Sequence, residues 1–519
     1  MRSHREPGGN GYKIAKLAGL LFVIALGRFP AAAATCESLA SLSLPETTIT
    51  LAQSVPAGGS IPSRSSSLPA RARARAFGNL PTFCRLAGDI KPTTDSDIQF
   101  EVWMPVSGWN AKFMGVGNGG WAGEIEYDNM SEALAAGYAT ASTDTGHTGN
   151  NATFALGHPE KVIDYGYRAV HETTVKAKAI VAAYYGQAPR LSYWNGCSFG
   201  GKQGLTEAQR FPADYEGIIA GAPANYLTHL AAHAVWVAQA AQKDGAQVLP
   251  SDKFTLIHNA VLRACDARDG VKDGVLENPS ACDFDARVLL CKGDDGPECL
   301  TAPQLEVARR IYGPAMSTTA RRQIFPGLSP GSELGWAGMA GGRLLTLRGA
   351  AFRYVLFQNP DWDYRTLNLD SDIDRADKLD HGTINAMDPD LKPFFARRGK
   401  LLHYHGWSDQ QVSPMNSVNY YTSVLEAMGG ASKVQDSYRL FMVPGMGHCG
   451  GGEGTDNFDT IGALERWVED GRAPEQMIAA RIRVGEVERT RPLCPYPQVA
   501  TYKGSGSTDD AHNFVCQAH

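Results

Sequence analysis

The sequence has few of the features that mark nucleic-acid-binding, membrane-spanning or zinc-dependent proteins. It contains no block of like charges, and its formal net charge of −5 gives no reason to expect nucleic acid or an anionic membrane as a partner. No CxxC pair, HExxH motif or internal repeat is present, so the common signatures of zinc sites and repeat proteins are missing. The composition, with 43% hydrophobic and 20% charged residues, is that of a globular protein.

Only one segment resembles a membrane-directed sequence, and it is too short to cross a bilayer. Residues 17–26 are apolar, basic residues precede them, and small residues follow at 31–34. This arrangement is typical of a signal peptide, which we assign to residues 1–34. We therefore expect a secreted or periplasmic protein with no membrane contact after cleavage. An uncleaved anchor and a lipid attached to Cys36 are the alternatives.

The cysteine count agrees with export. All ten cysteines follow the predicted signal, and an even number in an oxidising compartment predicts up to five disulfides. The sequence alone does not fix their connectivity. Three couples are close along the chain: Cys265 with Cys282, Cys291 with Cys299, and Cys494 with Cys516.

Short apolar strands alternate with helices from about residue 97 onward. This alternation predicts an α/β fold, in which crossover helices connect parallel strands. It stops near residue 223 and resumes at residue 400, so we predict a catalytic domain in two parts, 35–222 and 400–519, with an inserted lid domain at 223–399. The predicted strands are 98–104, 112–116, 138–142, 191–195, 217–221, 400–404 and 438–443, and the predicted helices are 168–185, 201–209 and 227–241.

The pentapeptide Gly196-Cys197-Ser198-Phe199-Gly200 lies between a predicted strand and a predicted helix. A strand, a tight glycine turn and a helix in this order are typical of a nucleophile elbow, in which the serine hydroxyl is exposed. Short glycine–serine patterns are also frequent by chance. Because all three parts occur here in the required order, we predict that Ser198 is a catalytic nucleophile.

A nucleophilic serine needs a base, and the base needs an acid that orients it. In folds of this kind the chain order is serine, acid, histidine. Asp409 follows the first strand after the predicted lid, and His448 follows the next strand, so they are the predicted acid and base. The alternative is an ordinary turn aspartate and a surface histidine.

Two cysteines flank this predicted catalytic pair. Cys197 directly precedes Ser198, and Cys449 directly follows His448. If the serine and the histidine are hydrogen-bonded, the two cysteines must also lie close together. The sequence therefore predicts a disulfide that ties the loop of the base to the nucleophile turn.

An oxyanion hole requires two N–H donors near the nucleophile. The residue after the nucleophile, Phe199, is one predicted donor, and a glycine-rich loop after an early strand supplies the other. Either Gly119 or Gly120 has the right place in that loop, and the sequence does not choose between them. The alternative is that these glycines only form a turn.

A second dense motif lies in the predicted lid. Asp266, Asp269 and Asp273 are spaced by glycines in a short loop, and hard oxygen ligands of this kind suit calcium. The carbonyls of Val271 and Val275 are the predicted remaining ligands. The loop lacks the terminal glutamate of an EF-hand, and a solvated acidic turn is the alternative.

His403 and His405 alternate along a predicted strand. Together with Asp409 and His448 they suggest a metal centre, and hence a secreted metallohydrolase as an alternative function. No recognised ligand spacing accompanies them, so we favour a role in the core or in support of the catalytic residues.

These motifs together resemble the tannase/feruloyl esterase family, which includes the mono(2-hydroxyethyl) terephthalate hydrolases. The resemblance runs from about residue 36 to the C-terminus. It depends on the pair Cys197-Ser198, on Asp409 and on the pair His448-Cys449. It implies an α/β-hydrolase fold with a large lid, and it identifies the aspartate loop with the family's calcium site. It also implies five disulfides: Cys36–Cys84, Cys197–Cys449, Cys265–Cys282, Cys291–Cys299 and Cys494–Cys516.

The resemblance further implies hydrolysis of small-molecule esters of aromatic carboxylic acids, such as ferulates or gallates, by a serine mechanism. A terephthalate half-ester is an alternative substrate, and an inactive, calcium-stabilised binding module is an alternative function. Arg353 has two interpretations: it pairs with a substrate carboxylate, or, as we favour, it extends from a packed helix. No oligomeric state is predicted. The lid residues proposed to contact substrate are Trp336, Phe352, Arg353, Tyr354 and Trp362.

Overall fold

The computed structural model of the protein describes residues 34–59, 78–244 and 246–518. Residues 1–33 of the predicted signal peptide therefore lie outside the described residues. A nine-stranded sheet forms the centre, with the strand order β1-β2-β3-β5-β4-β6-β7-β8-β9. The strands are β1 Thr47–Val55, β2 Phe83–Ile90, β3 Ile98–Pro105, β4 Lys112–Val116, β5 Ala139–Thr143, β6 Leu191–Cys197, β7 Gly217–Gly221, β8 Lys400–Gly406 and β9 Tyr438–Val443.

The sheet is mixed. From β5 to β9, neighbouring strands are parallel, as the alternating pattern predicts. The first three strands form an antiparallel extension that joins the rest through β3 and β5. We did not predict β1 and β2. β1 has one largely exposed face, so its apolar signal is weak.

Helices connect the strands and cover both faces of the sheet. The predicted helices are present, and the one after the nucleophile turn begins at Phe199, two residues earlier than predicted. The α-helices are α1 Tyr127–Ala135, α2 Pro159–Ile163, α3 Ala169–Tyr185, α4 Phe199–Arg210, α5 Leu227–Ala241, α6 Asp252–Cys265, α7 Ala302–Tyr312, α8 Ala337–Ala340, α9 Arg343–Ala350, α10 Ser371–Asp380, α11 Lys392–Ala396, α12 Pro414–Met428, α13 Ala431–Val434 and α14 Thr460–Asp470.

Two hydrophobic cores lie on opposite faces of the sheet, because successive side chains of a strand point to opposite sides. In β3, Phe100, Val102 and Met104 pack into one core with α3 and α12. Trp103 packs into the other core with α1 and α14. Burial on both faces explains why these strands are almost continuously apolar.

The chain leaves the sheet after Gly221 and re-enters it at Lys400. The intervening segment is mainly helical and has apolar clusters of its own. It contacts loops at the carboxyl edge of the sheet; for example, Trp121 Nε1 donates to the carbonyl of Leu347 at 2.8 Å. The boundaries 223 and 399 of the lid domain stay a prediction.

All ten cysteines are paired, and the five disulfides implied by the family resemblance are confirmed. Cys36 is bonded to Cys84, which leaves no thiol for a lipid. Two C-terminal hairpins carry the last disulfide: β10 Met477–Arg483 with β11 Glu486–Leu493, and β12 Gln498–Tyr502 with β13 Phe514–Ala518. In the described part of the chain, no helix combines the length and apolar character needed to span a membrane.

Candidate active site

Ser198 occupies the turn between β6 and α4. Its φ of 62° and ψ of −120° are unusual for a residue with a side chain, and strain of this kind is typical of a nucleophile elbow. The flanking glycines are required by space. A Cβ on Gly196 would lie 2.5 Å from backbone atoms of Gly200, which no folded turn tolerates. The predicted turn is therefore present, with the hydroxyl held at the carboxyl edge of the sheet.

The predicted base and acid meet this hydroxyl. His448 Nε2 lies 2.8 Å from Ser198 Oγ, and His448 Nδ1 lies 2.7 Å from Asp409 Oδ2. The other oxygen of Asp409 accepts the backbone N–H groups of Gln411 and Val412 at 2.7 and 2.9 Å. These bonds make Nδ1 the donor to Asp409 and leave Nε2 free to accept the serine proton.

Asp409 is fully buried yet ionised. Burial by itself raises the pKa of a carboxyl group, but the charge of His448 and the hydrogen bonds from His405 and His448 outweigh it, so the pKa of Asp409 lies well below its usual value. A carboxylate is therefore fixed behind the imidazole, which is the place of the acid in a Ser-His-Asp arrangement.

A buried chain of hydrogen bonds supports Asp409 from behind. Tyr438 Oη donates to His403 Nδ1 at 2.7 Å, and His403 Nε2 donates to Ser417 Oγ at 2.8 Å. Ser417 donates to His405 Nδ1 at 2.6 Å, and His405 Nε2 donates to Asp409 Oδ2 at 3.0 Å. The nitrogens of both histidines are thus used in orienting Asp409, which matches the supporting role that we favour over metal binding.

The disulfide Cys197–Cys449 joins the two catalytic loops, with an S–S distance of 2.04 Å across a sequence separation of 252 residues. This disulfide, predicted because each cysteine is adjacent to a predicted catalytic residue, is confirmed. Since the bond is one residue from both Ser198 and His448, it fixes the loop of the base relative to the nucleophile.

We expect the double variant Cys197→Ser, Cys449→Ser to show a large loss of kcat and only a small decrease in the thermal unfolding midpoint. A displacement of the base by about 1 Å lowers turnover by roughly 10²-fold, because proton transfer depends on alignment. The matched control is Cys291→Ser, Cys299→Ser, which removes a disulfide from the lid. The measurements are kcat and the thermal unfolding midpoint. Turnover equal to that of the wild type in the first variant would contradict the positioning role.

The predicted oxyanion donors lie around Tyr165. Its ring stacks on Phe199 with a centroid distance of 4.2 Å, and its hydroxyl donates to the carbonyl of Gly120 at 2.8 Å. The N–H of Gly119 lies against the carboxyl group of Glu126. Burial, followed by the charge of neighbouring acids, raises the pKa of Glu126 to about 7. The backbone N–H of Gly120 has no partner among the described residues.

Comparison with known proteins decides the family. The chain matches the family model for tannase and feruloyl esterase over residues 84–517. It belongs to the tannase and feruloyl esterase family. An uncharacterised esterase of Xanthomonas campestris is 39% identical over 557 aligned positions, covering 98% of this chain and 95% of that protein. A probable feruloyl esterase B-1 of Aspergillus oryzae is 33% identical, covering 84% of each chain.

Solved structures agree with this assignment. Feruloyl esterase B from Aspergillus oryzae superposes with a TM-score of 0.86 at 32% identity, covering 93% of this chain and 99% of that one. Tannin acyl hydrolase from Aspergillus niger, at 22% identity and a TM-score of 0.71, shares the fold over 92% of this chain and 93% of its own. The protein is therefore a carboxylic ester hydrolase with an α/β-hydrolase fold, and its substrates are small-molecule esters.

The lid of the esterase forms a cavity of about 730 Å³ beside the glycine-rich loop. Of the lid residues predicted to contact substrate, Arg353, Tyr354 and Trp362 line it. Arg353 also donates to the carbonyl of Trp362 at 3.1 Å. Trp336 does not line this cavity, because it is fully buried against Tyr312 in the lid's own core.

Phe352 is also fully buried, stacked on Trp362. Its segment, Ala351–Leu356, is a π-helix, so the predicted packed helix around Arg353 is present in a wider form. Phe352 therefore acts through Trp362, whose ring it supports, and it is absent from the cavity wall.

Sequence reasoning missed Arg348 on α9. The residue is 5% exposed, it interacts electrostatically with Tyr165 and Asp409, and its buried Nε has no hydrogen-bond partner among the described residues. Burial lowers its pKa to about 10, and the charges of Tyr165 and Asp409 oppose this shift. A buried guanidinium nitrogen without an acceptor is costly. Nothing in the local sequence distinguishes Arg348 from the other lid arginines.

The aspartate loop of the lid has the donor chemistry that calcium needs. Burial, together with the charge of Asp273, raises the pKa values of Asp266 and Asp269. A bound divalent cation would offset the free-energy cost of keeping these carboxylates ionised. Their carboxylates already accept backbone N–H groups of the loop. One oxygen of Asp273 accepts a hydrogen bond from Arg491 at 2.5 Å, leaving its other oxygen on the loop side. The ligand types fit calcium.

Proposed function

We propose that this esterase uses a Ser198–His448–Asp409 triad to hydrolyse esters of aromatic carboxylic acids. The observation that carries the mechanism is the continuous relay from Ser198 Oγ through both nitrogens of His448 to Asp409, with contacts of 2.8 and 2.7 Å. Family membership supports the ester bond as the target.

The reaction proceeds in two halves. Ser198 Oγ attacks the ester carbonyl while His448 Nε2 takes its proton, and the same nitrogen then gives that proton to the departing alcohol. The acyl group remains on Ser198. His448 next removes a proton from water, which attacks the acyl-enzyme, and gives that proton to Ser198 Oγ as the bond to the acyl group breaks and the carboxylic acid leaves. Asp409 stabilises the imidazolium in both halves.

The negative oxygen that forms in each half needs two donors. The N–H of Phe199 lies in the first turn of α4, next to the nucleophile. For the second donor the proposal favours Gly120, because Glu126 engages the N–H of Gly119 while the N–H of Gly120 is free among the described residues. Tyr165 holds both donor segments through its ring and hydroxyl.

The preference for an aromatic acyl group rests on the lid cavity. Trp121, Tyr354 and Trp362 give it aromatic walls, and flat rings suit a flat aromatic acid. The A. oryzae relatives are named feruloyl esterases. A terephthalate half-ester is the second candidate, because its free carboxylate could pair with Arg353, the predicted contact that lines the cavity.

A panel of methyl ferulate, methyl gallate, mono(2-hydroxyethyl) terephthalate and an aliphatic ester of equal volume tests this proposal through kcat/KM. We expect at least one aromatic ester to exceed the aliphatic one by about 10-fold or more, the effect of roughly 1.4 kcal/mol of selective binding. Arg353→Met should selectively impair hydrolysis of the half-ester if that compound is the substrate. Equal kcat/KM values across the panel would refute the aromatic preference.

We also propose that the protein is exported from the cytoplasm. The five disulfides require an oxidising compartment, and the apolar segment at 17–26 with its basic flank supplies a signal. N-terminal sequencing of protein recovered outside the cytoplasm should begin near residue 35. A start at residue 1 would contradict cleavage.

We further propose that Asp266, Asp269 and Asp273, with the carbonyls of Val271 and Val275, hold a structural calcium ion. Calcium at 100 times its Kd would stabilise the fold by about 2.7 kcal/mol through mass action. Removal with a calcium-selective chelator should therefore lower the thermal midpoint, and re-addition should restore it. The Asp269→Asn variant should show neither change.

The control for calcium is Asp363→Asn, which alters an exposed lid aspartate paired with Arg365. This variant should keep the wild-type response to chelator. A wild-type midpoint that is the same with and without calcium would overturn the assignment of the loop.

A further inference from the structure

A second group of potential ligands lies at the far end of α4 from the nucleophile. His171 on α3, Glu207 on α4 and Asp214 in the loop before β7 each offer one ligand atom, and these atoms all lie within 4.8 Å of one another. It is the one such group among residues 34–59, 78–244 and 246–518. Glu207 lies about 13 Å along the helix axis from Ser198, so the group is separate from the catalytic relay.

Glu207 has no N–H or hydroxyl donor in the described structure, and the group in hydrogen-bond contact with its carboxyl group is the carboxyl group of Asp214. The residue is 1% exposed, and both of its carboxylate oxygens are buried without a donor. Burial, and then the charge of Asp214, raises its pKa well above the usual value. Two buried carboxyl groups in contact cannot both stay ionised without a positive charge between them, so either a shared proton or a bound cation must link Glu207 and Asp214.

The surrounding groups leave the ligand atoms available. Lys178, a neighbouring cation, donates to the backbone carbonyl of Asp214 and to neither carboxylate. Phe211 stacks on His171 with a centroid distance of 3.9 Å, which fixes the plane of the imidazole. His171 Nδ1 already lies 2.6 Å from Asp214 Oδ2. The side chain of His171 is 29% exposed, which gives an ion a route from solvent.

We propose that His171, Glu207 and Asp214 bind one divalent transition-metal ion of the Zn²⁺ type. One imidazole nitrogen and two carboxylate oxygens form a ligand set that Zn²⁺ accepts, whereas calcium prefers six to eight oxygens. On binding at Nδ1, the ring proton resides on Nε2, and any proton held by Glu207 passes to solvent. The ion would tie α3 and α4 to the loop before β7.

The experiment uses the full mature chain, stripped of metal and then held in excess calcium so that the lid loop is occupied. Zn²⁺ is titrated by calorimetry in two buffers of different ionisation enthalpy, and bound zinc is counted after gel filtration. We expect a single tight equivalent with proton release. Glu207→Gln and His171→Gln should each weaken it by more than the ~100-fold that loss of an outer hydrogen-bond partner costs.

The matched control is His158→Gln. His158 forms a similar histidine–aspartate pair with Asp95 at 2.7 Å, but on the surface and without a third ligand. This variant should bind zinc as the wild type does. Esterase turnover checks the folding of every variant, since none of these residues touches the catalytic relay.

Two results would overturn the metal site. One is a Glu207→Gln variant, active as an esterase, that binds zinc as tightly as the wild type. The other is a wild type that binds no zinc. If Glu207→Gln then unfolds at a higher temperature than the wild type, Glu207 and Asp214 share a proton instead of a metal ion. Neither result depends on the substrate of the esterase.

Discussion

Replacing Ser198 with alanine is expected to lower kcat by roughly 10⁶-fold, the largest effect of any single change in this protein. The variant lacks the oxygen that forms the acyl-enzyme, so His448 has only water to activate. The oxyanion donors and the lid remain in place, and a residual rate above that of water should persist. The measurement is kcat on the best aromatic ester.

The control for this variant is Ser192→Ala. Ser192 is a buried serine of the same strand, β6, and lies outside the relay. It should retain near-wild-type turnover. A fluorophosphonate probe should label the wild type and the Ser192 variant at Ser198, and it should fail to label Ser198→Ala. Turnover that survives in Ser198→Ala would refute the serine mechanism.

The geometry of the triad was predictable because it depends on chain order. In an α/β sheet, residues that follow parallel strands collect at one edge, so a serine after β6, an aspartate after β8 and a histidine after β9 must approach one another. Their neighbouring cysteines must do the same, which is why the Cys197–Cys449 disulfide could be derived from sequence.

Features set by packing between distant segments were not predictable. The lid's Arg348 interacts electrostatically with Asp409, and this proximity of two distant segments has no sequence period. Trp336 was expected at the substrate, but its partner Tyr312 lies on another helix, and their contact decides its burial. An aromatic residue in a lid is equally compatible with a core and with a cavity wall.

The buried series of hydrogen bonds that supports Asp409 was also not predictable, because it joins distant segments. The alternation of His403 and His405 was visible, but Ser417 and Tyr438, which complete the hydrogen bonds, come from α12 and β9. Without these partners the two histidines suggested a metal centre. With Ser417 and Tyr438 in place, the two histidines belong to the hydrogen bonds that orient Asp409.

Asp409→Asn is expected to lower kcat by about 10⁴-fold with little change in the fold. The two oxygens of Asp409 accept four donors: two backbone N–H groups on one side, and His448 and His405 on the other. An amide supplies only one acceptor oxygen. The backbone donors cannot reverse their polarity, so the oxygen must stay with them and the NH₂ group must face the histidines.

His448 can face an NH₂ group only by presenting an Nδ1 lone pair. Its proton then moves to Nε2, the atom 2.8 Å from Ser198, which loses its ability to accept the serine proton. Nitrogen NMR of the imidazole should show this exchange of tautomers, and the thermal midpoint should change little. A matched variant, Asp456→Asn, replaces an acid that accepts from Gly451 outside the relay and should keep full turnover. If Asp409→Asn loses less than ~10-fold in kcat, Asp409 does not set the tautomer of the base.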